Sequence, residues 1–185
     1  PAWIHFLCYT TPLEEEEDWE QYKLRTALRY TPVYSTAVDK ENPIPTSLCY
    51  LAGSAGLSGD LLLAQEADRV GEVLFATLLQ HGEIGLYDYQ EKWGLYTVLG
   101  SSPSVSLPYI LSVQPMGETL QLELCYLSAF VGVDELSIFD EEGMPRPIGE
   151  AAAIASELPR YRAVLKKEKG YRLLAFEAIE EKTSL

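Results

Sequence analysis

The order of apolar and polar positions along the chain changes period several times, and each change marks an expected element. Ala2 to Tyr9 is rich in aromatic and apolar side chains without clear alternation, which predicts a buried strand. Thr11-Pro12-Leu13-Glu14 has the Thr-x-x-Glu spacing of a capping box with proline at the first helical position, so a helix is expected there. Its first turns would carry Glu14 to Asp18 at the positive end of the dipole, Leu24, Ala27 and Leu28 would form its stripe, and Tyr30-Thr31-Pro32 would end it. Residues 31–46, with Pro32, Pro43 and Pro45, read as a loop, and Ser47 to Ala52 as a short strand.

The strongest helical signal lies between Asp60 and Gln80. Leu63, Ala67, Val70, Leu74 and Leu78 recur at three- and four-residue steps, with Glu66, Asp68, Arg69 and Glu72 on other faces and His81-Gly82 as the expected close. From Glu83 to Phe139 the period becomes two. Trp93, Leu95, Thr97 and Leu99 alternate with Tyr96 and Val98, and both sets are largely apolar, as in a strand covered on both faces. After the turn Gly100 to Pro103, Val105 to Val113 reads as a strand that Pro108 confines to an edge or a bulge. The turn Pro115 to Glu118 leads into Leu120, Leu122, Leu124 and Tyr126 alternating with polar positions, and Glu135 to Phe139 precedes a turn at Asp140 to Gly143.

Gly149 to Leu158 reads as an alanine-rich helix stopped by Pro159. Arg160 to Lys166 and Tyr171 to Ile179 read as a hairpin turned at Lys167 to Gly170, preferred over continuing the helix, and the tail at 180–185 as frayed. Neither a repeat nor a linker between two cores is visible. The order of elements predicts an α+β fold in a single domain, with a mostly antiparallel twisted sheet and two or three helices packed on it.

Composition adds little about fold and more about partners. The 185 residues carry 14 Lys and Arg against 28 Asp and Glu, a formal charge of −14. That field repels phosphate backbones and anionic membrane surfaces, so no nucleic-acid or membrane partner is expected; it attracts a basic protein. The competing reading is that the charge serves solubility alone. No apolar run approaches the ~18–20 residues that a spanning helix needs. The N-terminal residues lack the basic lead-in and small-residue cleavage site of a signal peptide. Cys8, Cys49 and Cys125 are odd in number and contain no CxxC, which leaves at least one thiol unpaired and points to a reducing, cytoplasmic setting, with a single disulfide as the rival reading, and to no zinc site.

Four constellations bear on chemistry. Gly53, Gly56 and Gly59 stand between an expected strand and helix, where a loop could wrap phosphate, yet the Gly-x-x-Gly-x-x-Gly spacing matches no phosphate-binding motif and brings no Lys or Arg. A turn with Ser58 as helix cap accounts for it. His5 and Cys8 have opposite parity on a strand, and His81 fits a helix C-terminus, so a Cys–His dyad has no local basis. Asp88, Asp134 and Asp140 are candidate carboxylates for glycoside hydrolysis, outnumbered by acids that merely face water. Twelve tyrosines are present; Tyr87, Tyr89, Trp93 and Tyr96 gather about one hairpin, as interface aromatics or as core.

The expectation is therefore a non-enzymatic acidic protein without cofactor or metal that binds a basic partner, in the manner of an immunity or inhibitor protein neutralising a basic toxin or enzyme. Its contact residues would be Glu15, Glu16, Glu17, Asp18, Tyr87, Tyr89 and Trp93. A secretion chaperone is one alternative. A small-ligand site or enzyme built on Gly53–Gly59 and nearby carboxylates is the other.

Overall fold

The computed structural model describes residues 2–36, 44–99, 105–131 and 136–180. The turn expected at Gly100 to Pro103, the candidate carboxylate Asp134 and the tail beyond Glu180 lie outside them, as does Pro43 of the expected loop. The fold is α+β with antiparallel pairing throughout, as the sequence predicts. The chain forms two compact units, one of Glu17–Ser101 and one of Pro1–Glu16 with Ser102–Leu185.

In the Glu17–Ser101 unit, helix α2 (Trp19–Arg29) is followed by β1 (Tyr34–Ser35), α3 (Thr46–Ala55), β2 (Asp60–Leu63), α4 (Ala64–Phe75), β3 (Tyr87–Gln90) and β4 (Leu95–Val98). The sheet order is β1-β2-β4-β3, so β4 is covered on both edges and both faces, as its two apolar sets predict. Leu62 and Tyr96 face Leu24, Ala27 and Leu28 of α2 and Ala67 of α4. Leu61 and Leu95 face Leu48 and Ala52 of α3 on the opposite side. Strand alternation thus builds three layers, helix on sheet on helix.

Several boundaries differ from expectation, each for a local reason. The segment 47–52 is helix rather than strand, because Leu48 and Ala52 are buried at an i, i+4 step while Tyr50 faces water. Residues 60–63 are strand β2 rather than the first turn of a long helix. The helix ends at Phe75 with Ala76 left-handed, which leaves Leu78 exposed and His81 in the following loop. Leu74 and Ala67 are buried as predicted. The helix expected from Thr11 starts instead at Trp19, where Asp18 and Gln21 form the capping box: the Gln21 N–H donates to Asp18 Oδ1 at 2.8 Å and the Asp18 N–H to Gln21 Oε1 at 3.0 Å.

The second unit holds α1 (Ala2–Leu7), β5 (Val105–Met116), β6 (Thr119–Val131), β7 (Leu136–Phe139), β8 (Pro145–Pro147), α5 (Ala151–Ala155), β9 (Tyr161–Lys167) and β10 (Tyr171–Ala178). Strand β6 is its spine. It pairs with β5 along one edge, and with β9 and then β7 along the other. Strand β5 is an edge strand with an irregularity between Ile110 and Ser112, where a chain carrying Pro108 and Pro115 belongs, and β9 and β10 form the expected hairpin. One β6 face packs Cys125, Leu127 and Ala129 against Ile154 and Ala155 of α5. Tyr126 stands on the other with Tyr161 and Phe176, whose rings stack at 5.4 Å.

Residues 2–7 are helical, not the expected strand. Leu7 and Thr10 are buried and Trp3 and Phe6 half-buried, positions that share one helical face. A short relay fastens this segment, as the Tyr126 hydroxyl donates to Thr10 Oγ1 at 2.7 Å and the Thr10 hydroxyl to the Leu7 carbonyl at 2.6 Å.

Candidate functional site

The acidic run divides between surface and structure. Glu14, Glu15 and Glu16 are exposed, and Glu16 holds a left-handed backbone at φ 62°. Glu17 is turned inward, with its side chain 4% exposed. It takes both hydrogen bonds of a bidentate pair from Arg25, at 2.6 and 2.7 Å. Asp18 caps α2. Of the four acids predicted to meet a partner, Glu17 and Asp18 thus have intramolecular partners that already engage their carboxylates.

The aromatic group is also divided. Tyr87 and Tyr89 lie on the edge strand β3 and point to the face covered by α2 and α4, opposite Val98 and Tyr96. Trp93 sits in the tight turn after β3 and packs on the α3 side, with the Lys92 ammonium 4.9 Å from its ring. Opposite faces of one sheet cannot present these three as a single patch. All three are half-buried. Burial raises the Tyr87 phenol above its usual value, against the opposing pull of Arg29 and Arg25.

His81 holds together a polar cluster that the sequence did not reveal. Its Nδ1 lies 2.8 Å from the buried Tyr96 hydroxyl and its Nε2 lies 3.2 Å from Asp68 Oδ1. The Leu79 N–H donates to the same Asp68 oxygen at 3.2 Å and the Gly82 N–H to the Tyr96 oxygen at 3.4 Å. Tyr89 closes the cluster, its ring stacked on His81 at 5.4 Å and 4.8 Å from Tyr96. Asp, His and a hydroxyl in series have the form of a nucleophile relay. Here the hydroxyl is sealed: Tyr96 is 0% exposed, and desolvation drives its ionisation well above the usual 10.0. The cluster ties the segment after α4 to the sheet. A spacing of 13 to 15 residues between partners gave sequence reasoning no signal for it.

The glycine segment occupies a different place from the one the sequence suggests. Gly53 is inside α3, Gly56 ends it at φ 67°, and Gly59, at φ 99°, turns the chain into β2. Thr36 brackets Gly59, accepting its N–H at 2.7 Å while its own N–H and hydroxyl donate to the Gly59 carbonyl. The segment therefore stands at the carbonyl end of a helix, whose partial negative charge disfavours phosphate.

The remaining candidates are scattered. Asp88 accepts from Gln90 at 2.8 Å. Asp140 accepts from the Met144 and Glu142 N–H groups and from Arg146, bonds that hold its carboxyl below the usual range and shape the turn before β8. His5 and Cys8 lie at the end of α1, so strand parity no longer separates them. The His5 ring meets Tyr9 edge-on, and the Cys8 thiol donates to the Ile4 carbonyl at 3.6 Å. Cys8 and Cys49 are exposed, while Cys125 is buried and its thiol pushed up by desolvation. Among the described residues no group of three His, Cys, Asp or Glu could hold a metal, and no helix is long and apolar enough to cross a membrane.

No family model, no curated protein and no solved structure matches this chain.

Proposed function

We propose that the chain is a non-enzymatic acidic protein that binds a basic protein partner, of the immunity or inhibitor type. The observation that carries this reading is the charge of −14, together with exposed, consecutive carboxylates at Glu14 to Glu16. Glu14, Glu15 and Glu16 are exposed, so their charge acts outward and speeds encounter with a positive surface. Glu15 and Glu16 are the steering residues in this reading. Tyr87 and Tyr89, half-exposed on an edge strand, are the anchors, and Trp93 on the other sheet face has a lesser part. An odd number of cysteines with no CxxC pair supports a reducing, cytoplasmic setting for the encounter.

Two observations weigh against the small-ligand alternative. The glycine segment lies at the wrong end of a helix for phosphate, and the hydroxyl of the His81 cluster is closed to substrate. Photo-crosslinkers at positions 15 and 89, used in cells of the source organism, test the proposal. The expected product at either position is a basic protein, captured less well as salt rises. Crosslinks to an acidic protein or to none would overturn it. A rise in melting temperature with phosphate or nucleotide would favour the alternative, since a ligand of the native state stabilises it.

A further inference from the structure

The two long outer strands of the second unit's sheet, β5 and β10, are finished differently. The Lys167 N–H donates to the Glu118 carbonyl at 3.1 Å, which sets the phase of β6: Leu120, Leu122 and Leu124 bond to β9, and the positions between them to β5. Pro108 and Pro115 lie opposite Tyr126 and Leu120, so both turn the side that lacks an N–H to the outside. Together with the irregularity between Ile110 and Ser112, they close that edge to a further strand. Strand β10 has no proline. At one end of its hairpin the Ile179 N–H donates to the Arg160 carbonyl at 2.8 Å, and at the other the Glu168 N–H donates to the Gly170 carbonyl at 2.9 Å. Counting inward from both bonds turns Glu177 and Arg172 towards β9 and the backbone groups of Tyr171, Leu173 and Ala178 outward. The bulge at Leu174 reverses the phase between the two halves. Among the described residues no strand pairs with this outer side.

We propose that β10 pairs antiparallel with β10 of a second copy, about a two-fold axis between Leu174 and Ala175, and so joins two sheets into one. The bulge selects this register. Outward backbone groups must meet outward groups, and the change of phase lets Tyr171 meet Ala178 of the second copy. Arg172 then stands opposite the second copy's Glu177, and the exposed Leu174 opposite its Ala175. Symmetry makes each contact twice, as in any isologous interface. Opposed charges at both ends and an apolar centre stabilise such a pair. Arg172 and Glu177 already bond Glu168 at 3.1 Å and Arg162 at 2.7 Å, both at the surface. A guanidinium has five donors and a carboxylate two oxygens, so each accommodates a further partner. The charge of −14 on each copy repels at long range. Salt of ~0.15 M screens charges beyond ~8 Å and spares the opposed pairs. The inference is independent of the basic-partner reading, because none of its residues is assigned there.

The test is sedimentation of the whole chain over a concentration series at ~0.15 M salt, with amide hydrogen exchange at low and high concentration. The parent should reach twice the monomer mass, and the Tyr171, Leu173 and Ala178 amides should gain protection as concentration rises. Glu177→Arg and Arg172→Glu should each weaken the dimer about tenfold, since symmetry puts two like-charge pairs in the interface. The two changes together should restore it. Ala178→Pro removes an outward donor, leaves the bonds to β9 whole and should also weaken the dimer. The exchange measurement needs no variant and decides the matter even where a variant fails to fold. A chain that stays monomeric at millimolar concentration would overturn the proposal. So would a dimer whose edge amides gain no protection, or charge reversals that leave it unchanged or fail to compensate each other.

Discussion

Gly71 and Leu79 meet where a side chain on either would compete for the same space: a Cβ added at Gly71 would stand 2.8 Å from Leu79 Cγ and Cδ2. Gly71 is buried in the body of α4, and Leu79 returns over it from the loop beyond the helix. Helix propensity alone says that alanine at 71 gains ~1 kcal/mol. Overpacking costs ~1–3 kcal/mol and opposes that gain. Gly71→Ala should therefore destabilise the protein in urea unfolding, and the loss should shrink in a Leu79→Ala background. A plain gain in stability would place Leu79 elsewhere.

How far the sequence could be read depended on the range of the interaction. Strands β4 to β6 and the β9–β10 hairpin were legible, because alternation and turn residues are local. The buried i, i+4 pair Leu48 and Ala52 was also present in the sequence, but a short apolar run with glycine beyond it reads equally as strand. Trp3, Phe6, Leu7 and Thr10 carried a helical spacing that aromatic content masked. Nothing local told Asp18 from Thr11 as the cap of α2, since each begins an acceptable capping pattern. The His81 cluster and the Glu17–Arg25 pair depend on tertiary approach and left no trace in spacing.

The end of α4 stores strain. Ala76 sits at φ 56° while its N–H donates to the Glu72 carbonyl at 3.0 Å, a left-handed position that glycine adopts freely. Ala76→Gly should keep the hydrogen bond and stabilise by ~0.5–1 kcal/mol, read as a higher urea midpoint at unchanged slope. A loss of stability would show that the turn does not exist in solution.

Tyr96 makes stability sensitive to alkali. Burial raises the phenol pKa of the folded protein above the unfolded value of 10.0, so the proton is held more tightly in the native state. Its contribution is complete below pH 10.0 and is lost as pH rises beyond it, because the unfolded chain ionises first. Tyr96→Phe should cost ~1–3 kcal/mol at neutral pH, leaving His81 and the Gly82 N–H short of a partner, and should flatten the alkaline decline. Equal slopes in parent and variant would assign that decline to other groups.

The acidic run should separate into two classes under mutation. Glu17→Gln breaks an inward ion pair with Arg25 and should cost ~3–5 kcal/mol, as for other buried pairs that lose one partner. Glu15→Gln and Glu16→Gln should each stay within ~0.5 kcal/mol of the parent. Thermal unfolding of the three variants decides this. A strong loss at Glu15 would remove it from the steering role.

The most direct test of the acidic-binder account is the association rate with the crosslinked basic partner, measured by stopped flow across a range of salt. The Glu15→Gln/Glu16→Gln variant is compared with the parent. Steering predicts a parent rate that falls steeply with salt, a variant rate several-fold slower at low salt with a shallower slope, and dissociation unchanged. A parent rate flat in salt and equal to the variant's would contradict the account and leave the acidic surface to solubility alone.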